Sequence, residues 1–154
     1  MKEVTEMMIY DMALRVRLYI ASKIPEEKQV CDLSDREALL LELIGTKGDM
    51  SISEICNFCP RVSNSTISTT ITKLWKEKKL VDKIIMPENQ RITTVRLTDK
   101  GCDILSQIKQ KQSDVFTTVA KSLGLTAEQN ESFRQILTSS IGFFDELLDL
   151  RLVV

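Results

Sequence analysis

The chain of 154 residues contains no histidine, only four cysteines, and no apolar run approaching the roughly 18 to 20 residues of a membrane span. Each absence removes a class of protein. Without histidine, and with Cys56-Asn57-Phe58-Cys59 as the single Cys-x-x-Cys, no four-ligand zinc set can be assembled, so neither a metal nor another cofactor is expected. The sequence also has no nucleophile elbow, no phosphate-binding loop and no carboxylate pair in a catalytic setting, which argues against an enzyme. Four cysteines are too few for a disulfide scaffold and fit a reducing compartment. Met1 leads directly into Lys2-Glu3-Val4 with no signal-peptide pattern, so a soluble cytoplasmic protein with no membrane partner is expected. Internal repeats and low-complexity linkers are missing, and the length suits a single domain over 1–154.

What the sequence does contain is an uneven distribution of charge. The net charge is −1, yet residues 61 to 100 carry nine basic side chains against four acidic ones, a local +5 that leaves −6 for the rest. A basic middle is framed by acidic ends, and local charge of this kind matters more for a polyanionic partner than the total does.

Hydrophobic spacing and capping signals order the elements. Val4, Met8, Met12, Val16 and Ile20 recur at helical spacing, with Met7, Leu14 and Leu18 widening the apolar surface until Pro25 stops the helix. Ser34-Asp35-Arg36-Glu37 is a capping box opening a second helix, whose buried stripe is predicted as Leu39, Leu43 and Ile44 and whose end is marked by Gly45 and Gly48. Ser51-Ile52-Ser53-Glu54 repeats the device, with Met50 and Ile55 as a hydrophobic staple, and predicts a short helix to about Cys59. A helix beginning near Ser63 holds seven hydroxyl residues among the ten from Ser63 to Thr72 and has poor intrinsic propensity, so packing must hold it. Two β-rich stretches, Leu80 to Met86 and Arg91 to Leu97, flank turn formers and predict a hairpin. Thr98 caps a long helix through Leu105, Ile108, Val115, Val119 and Leu123, closed by Gly124. Thr126-Ala127-Glu128-Gln129 opens a last helix. The fold class is therefore mainly α with a small β-hairpin, and three closely spaced helices followed by a hairpin make a winged helix-turn-helix.

Two segments carry a family resemblance. Pro87-Glu88-Asn89-Gln90-Arg91, followed by Val95-Arg96-Leu97-Thr98-Asp99-Lys100-Gly101, resembles the wing and long-helix start of the MarR (multiple antibiotic resistance regulator) family of bacterial transcription factors. Ser65-Thr66-Ile67-Ser68 through Leu74, then Leu80-Val81, is similar to that family's recognition helix and first wing strand. Asn89 stands where the family usually has aspartate, Gln90 where many members have arginine, and Lys79 where glycine is customary; the turn at Pro60-Arg61-Val62 is one residue longer than usual. The resemblance implies a winged helix-turn-helix lobe over 34–97, a connecting helix over 98–123, and N- and C-terminal dimerisation helices over 1–30 and 124–154. It further implies a homodimeric, ligand-responsive repressor on a pseudo-palindromic double-stranded DNA operator. Small aromatic or phenolic effectors would sit between the dimer helices and the lobe, with no pocket residues assigned.

On that reading Ile67, Ile71 and Leu74 face the core, Ser65, Ser68, Thr69 and Thr72 face the groove floor, and Thr66, Lys73 and Lys76 line its walls. Lys73, Lys76 and Lys83 would hold phosphates, and Arg91 at the hairpin tip would enter the minor groove. The dimer would be carried by Val4, Met8, Met12, Phe143, Phe144, Leu147 and Leu148, with Leu150, Leu152, Val153 and Val154 adding to the tail. Cys56 and Cys59 read as small core residues of the helix-turn-helix, and Cys31 as the exposed thiol. Two alternatives stay open: a thiol redox-responsive regulator using Cys56/Cys59 or Cys31, and a winged-helix protein-interaction module that binds no DNA.

Overall fold

A computed structural model of the protein describes residues 2–23, 32–85, 87–88 and 91–148. The order is α1 (Lys2–Lys23), α2 (Asp35–Lys47), β1 (Met50–Ser51), α3 (Ile52–Phe58), α4 (Asn64–Lys76), β2 (Val81–Ile85), β3 (Thr93–Leu97), α5 (Asp99–Leu123) and α6 (Ala127–Leu147). The expected helices and hairpin are present, and one strand is added to them. Met50 and Ser51 pair antiparallel with Val95 and Thr94, so β3 is the centre of a three-stranded sheet ordered β1-β3-β2.

The helix starts form as their sequences dictate. Ser34, Ser51 and Thr126 each cap a helix while Glu37, Glu54 and Gln129 reach back to the cap residue's own N–H, satisfying amides that a helix start would otherwise leave orphaned. Thr98 caps α5, and Gly124 closes it in the left-handed conformation. Met50 and Ile55 are both buried, as a staple across the start of α3 requires.

One core serves the central segment. Leu40, Leu41 and Ile44 of α2, Ile55 of α3, Ile67, Ile71 and Leu74 of α4, and Leu80, Val81 and Val95 of the wing form a single buried cluster with Met50. The predicted stripe of α2 is corrected here. Leu39 is exposed and Leu43 half-buried, while Glu37, Leu40, Leu41 and Ile44, spaced by three, one and three residues, form the inward face. Gly45 lies inside α2, and the cap is Gly48 alone.

Outside this core the picture changes. α5 buries Gly101 and Leu105 at its lobe end, and α6 has no buried residue. On α1, Met7, Met8, Ile9, Tyr10, Met12, Leu14 and Leu18 are exposed, with apolar groups distributed around the helix.

Candidate nucleic-acid interface

Helix α4 holds despite its hydroxyl-rich sequence because its ends and its buried face are well supplied. The Ser63 hydroxyl accepts from the Thr66 N–H at 3.2 Å and lies 2.7 Å from the Thr66 hydroxyl and 3.1 Å from that of Ser65. Ile67, Ile71 and Leu74 are wholly buried. On the outward side Ser65, Thr69, Lys73 and Lys76 are exposed, and Thr66, Ser68 and Thr72 are half-buried on its two flanks. The threonine hydroxyls donate back along the helix: Thr69 to the Ser65 carbonyl, Thr70 to that of Thr66 and Thr72 to that of Ser68, each at 2.8 Å. Their protons are thus committed, so toward any outside group each hydroxyl can act only as an acceptor.

The flank facing the wing is braced by Lys83. Its ammonium donates to the Thr72 hydroxyl at 2.8 Å and lies 5.2 Å from the centre of the Trp75 ring, while the Lys76 ammonium lies 5.4 Å from the same ring. Burial, aided by the charge on Lys76, holds the Lys83 ammonium below its ordinary pKa. Lys83, read from the sequence as a phosphate holder, is here engaged with the recognition helix itself. Arg91 is exposed at the start of the returning arm of the hairpin. The readings made for Asn89 and Gln90 lie outside the described residues.

On the opposite flank stands a group with no signal in the sequence beyond its capping role. Glu37 is only 2% exposed. Its Oε2 accepts from the Ser34 N–H at 2.7 Å and from the Lys78 ammonium at 3.1 Å; Lys78 also donates to the Asp32 carbonyl. Its Oε1 has no hydrogen bond and lies 3.6 Å from the Lys73 ammonium. Burial alone would raise the carboxyl's pKa, but the Ser34 amide, the Lys78 ammonium and the Ser34 hydroxyl together hold it below the ordinary value, so it is ionised at neutral pH.

A third group joins the exit of α4 to the start of α5. The Thr98 N–H donates to the Leu80 carbonyl at 3.1 Å, the Thr98 hydroxyl to the Lys79 carbonyl at 2.8 Å, and the Lys100 ammonium to the Lys78 carbonyl at 3.0 Å. Gly101 is required by contact, since a Cβ there would lie 2.0 Å from the Leu80 carbonyl oxygen. Lys79 has φ of 57°, the left-handed conformation that glycine adopts without steric cost. Nearby, Arg96 of β3 holds Asp49 through Nε at 2.8 Å and also through Nη2, which draws the Asp49 carboxyl below its ordinary pKa. Lys78 and Arg96 are therefore balanced within the chain, and the local +5 read from the sequence overstates the charge that a partner meets.

The remaining candidates fall elsewhere. Met8 and Met12 are exposed on α1, and Phe143, Phe144, Leu147 and Leu148 are exposed at the end of α6, with the two phenyl rings packed edge to face at 5.5 Å. The side chain of Val4 lies outside the described residues, as do Leu150, Leu152, Val153, Val154 and Cys31. Cys56 and Cys59 are half-buried against the core and unbonded, and Cys102 on the first turn of α5 is exposed. Burial and the neighbouring Cys56 push the Cys59 thiol above its ordinary pKa, which keeps it protonated and poorly nucleophilic. Among the described residues no cluster of three or more potential ligands could hold a metal ion, and no helix is long and apolar enough to cross a membrane.

A lobe of three helices and a three-stranded wing, with α4 turning a polar, cationic face outward, defines a winged helix-turn-helix. Comparison with known proteins agrees. Residues 33–101 match the winged helix DNA-binding domain. The chain is 30% identical over 120 residues to the uncharacterized HTH-type transcriptional regulator YpoP of Bacillus subtilis, covering 75% of this chain and 82% of that one. It is also 30% identical over 98 residues to the HTH-type transcriptional repressor IacR of Pseudomonas putida, covering 64% of this chain but only 56% of the repressor. In fold it resembles apo MarR from E. coli, at 18% identity and a TM-score of 0.62 over 91% of this chain and 95% of that one. It likewise resembles Streptococcus pneumoniae FabT, solved in complex with DNA, at 18% identity and a TM-score of 0.63 over 95% and 98%. The chain belongs to the HTH-type transcriptional regulators with a winged helix DNA-binding domain, and its fold is that of MarR.

Proposed function

We propose that this regulator is a cytoplasmic homodimeric repressor that inserts α4 of each protomer into successive major grooves of a pseudo-palindromic operator and is released by a small aromatic or phenolic effector. The observation that carries the DNA reading is the outward face of α4, where Ser65, Thr69, Lys73 and Lys76 are exposed over a wholly buried apolar face. Ser65, Thr66, Ser68, Thr69 and Thr72 would meet base edges, and Lys73 and Lys76 the backbone. Because the Thr69 and Thr72 protons are spent on backbone carbonyls, these residues would offer acceptors and methyls rather than donors, Thr72 with one lone pair already taken by Lys83. The matching groove groups are the amino groups of adenine and cytosine and the methyl of thymine. Arg91, on the exposed hairpin, is the residue suited to a narrow minor groove flanking the site.

Dimerisation is supported by the apolar side chains that α1 and α6 leave in water, more than a monomer of this size normally exposes in one region. A two-fold dimer would match operator half-sites one helical turn apart. The domain plan follows: 34–97 as the DNA-binding lobe, 98–123 as the connector, 1–30 and 124–154 as the dimer region.

Selection of bound sequences from a random duplex pool, followed by fluorescence anisotropy over a salt series, tests the proposal. Enrichment of a symmetric site is expected, with Thr69→Ala weakening that site selectively by about 1 kcal/mol. Arg91→Ala should cost about 1 to 3 kcal/mol, most with A·T-rich flanks. Failure to bind any duplex at low salt would leave the interaction-module reading in its place.

A further inference from the structure

We infer that Glu37 is a specificity-determining positioning residue, which reserves the Lys73 ammonium for the phosphate backbone of a correctly seated operator and withholds it from loosely bound DNA. The inference rests on the DNA-binding reading above and concerns how the two kinds of complex differ.

Its basis is the arrangement beneath the C-terminal half of α4. A buried carboxylate with one oxygen lacking any hydrogen bond lies 3.6 Å from an ammonium whose side chain is 49% exposed. Lys73 therefore stands between two anions, the fixed one at Glu37 and any phosphate that approaches the outer face of α4. Lys78 cannot share this role, since its side chain is 13% exposed and its ammonium is already divided between Glu37 and the Asp32 carbonyl. Drawing Lys73 outward leaves Glu37 Oε1 buried with less compensation, which is unfavourable in a medium of low polarity. A well-seated backbone, fixed by base contacts along α4, supplies a phosphate at short and constant distance and offsets that cost. In a sliding, non-specific complex the phosphates are mobile and solvated, and the nearby carboxylate wins. Glu37 thus converts a lysine that would strengthen binding to every duplex into one that rewards the right one.

The test uses the full chain, the duplex recovered by selection and an unrelated duplex, with anisotropy followed across salt concentration. Lys73→Ala is expected to lower the salt slope on the selected duplex by about one unit, one phosphate contact's worth, and to leave the slope on the unrelated duplex nearly unchanged. Glu37→Gln keeps an oxygen for the Ser34 amide and removes the charge. It is expected to steepen the slope on the unrelated duplex by about one unit and to narrow the ratio between the two affinities, and Lys73→Ala in that background should abolish the gain. A merely structural glutamate would instead weaken both duplexes in parallel with a fall in Tm, and that result overturns the inference. Equal slope changes on both duplexes for Lys73→Ala overturn it as well, and this arm decides alone if Glu37→Gln fails to fold. A wild-type chain that binds neither duplex refutes the DNA reading itself, a result distinct from binding with equal slopes.

Discussion

The central lobe and the terminal helices of this protein have similar amounts of apolar sequence but dispose of it in opposite ways. In α2, α3 and α4 the apolar face is buried within the chain, down to the wholly enclosed Leu40, Ile55 and Ile71. In α6, Phe133, Ile136, Leu137, Phe143 and Phe144 are all exposed, and in α1 the methionines and Leu14 and Leu18 are too. Isolated helices gain little from propensity alone, and most helical stability comes from packing one face against something. In the lobe the apolar faces cover one another, whereas those of the terminal helices stay exposed within the chain.

The same kind of truncation made in each region is expected to act on different quantities. Ile71→Ala removes a fully buried side chain in the lobe and is expected to cost about 2 to 5 kcal/mol, read as a large fall in the thermal or urea midpoint. Phe144→Ala, at a side chain 54% exposed within the chain, is expected to leave the lobe's own unfolding nearly unchanged and instead to raise the concentration at which sedimentation reports a dimer. Equal losses of intrinsic stability would show that α6 is part of the lobe's core.

A second prediction sharpens where the lobe ends. Gly101→Ala places a methyl against the Leu80 carbonyl and must push α5 away from the exit of α4, at a cost of about 1 to 3 kcal/mol in urea unfolding. Gly142→Ala on α6, where nothing lies within 4 Å of the added methyl, is the matched control and should be neutral or mildly stabilising. A smaller effect than that of Gly101→Ala is expected at Lys79, whose left-handed backbone is one that L side chains adopt at a cost of about 1 to 2 kcal/mol. Lys79→Gly should relieve part of this strain and raise the melting midpoint by a few degrees, with the added freedom of the unfolded glycine offsetting the rest.

The parts of the fold that were legible in the sequence are those whose cause is local. Three capping boxes are visible because cap and partner are three residues apart, and the long helix from Thr98 to Gly124 carries a start and a stop signal at its two ends. The inward face of α2 is not legible, because Leu39, Leu40 and Leu41 are consecutive and periodicity cannot choose among them. The choice was made by what lay opposite, which placed Leu40 and Leu41 inside and Leu39 in water. Strand β1 has two residues and hence no period to detect, and its existence depends on Val95 and Thr94, more than forty positions away.

The candidate surface divides in the same manner. Helical spacing alone put Ile67, Ile71 and Leu74 inward and Thr69 and Lys76 outward, because 3.6 residues per turn fixes the faces of any helix whatever surrounds it. Which of the basic residues remain available was decided only by folding. Arg96 met Asp49 across 47 positions, Lys78 met Glu37 across 41, and Lys83 turned to Thr72 and Trp75. Charge counted along a chain records how many cations there are. Their partners are chosen by the packing of α2, α4 and the wing, since electrostatic attraction falls off with distance in space and takes no account of distance in sequence.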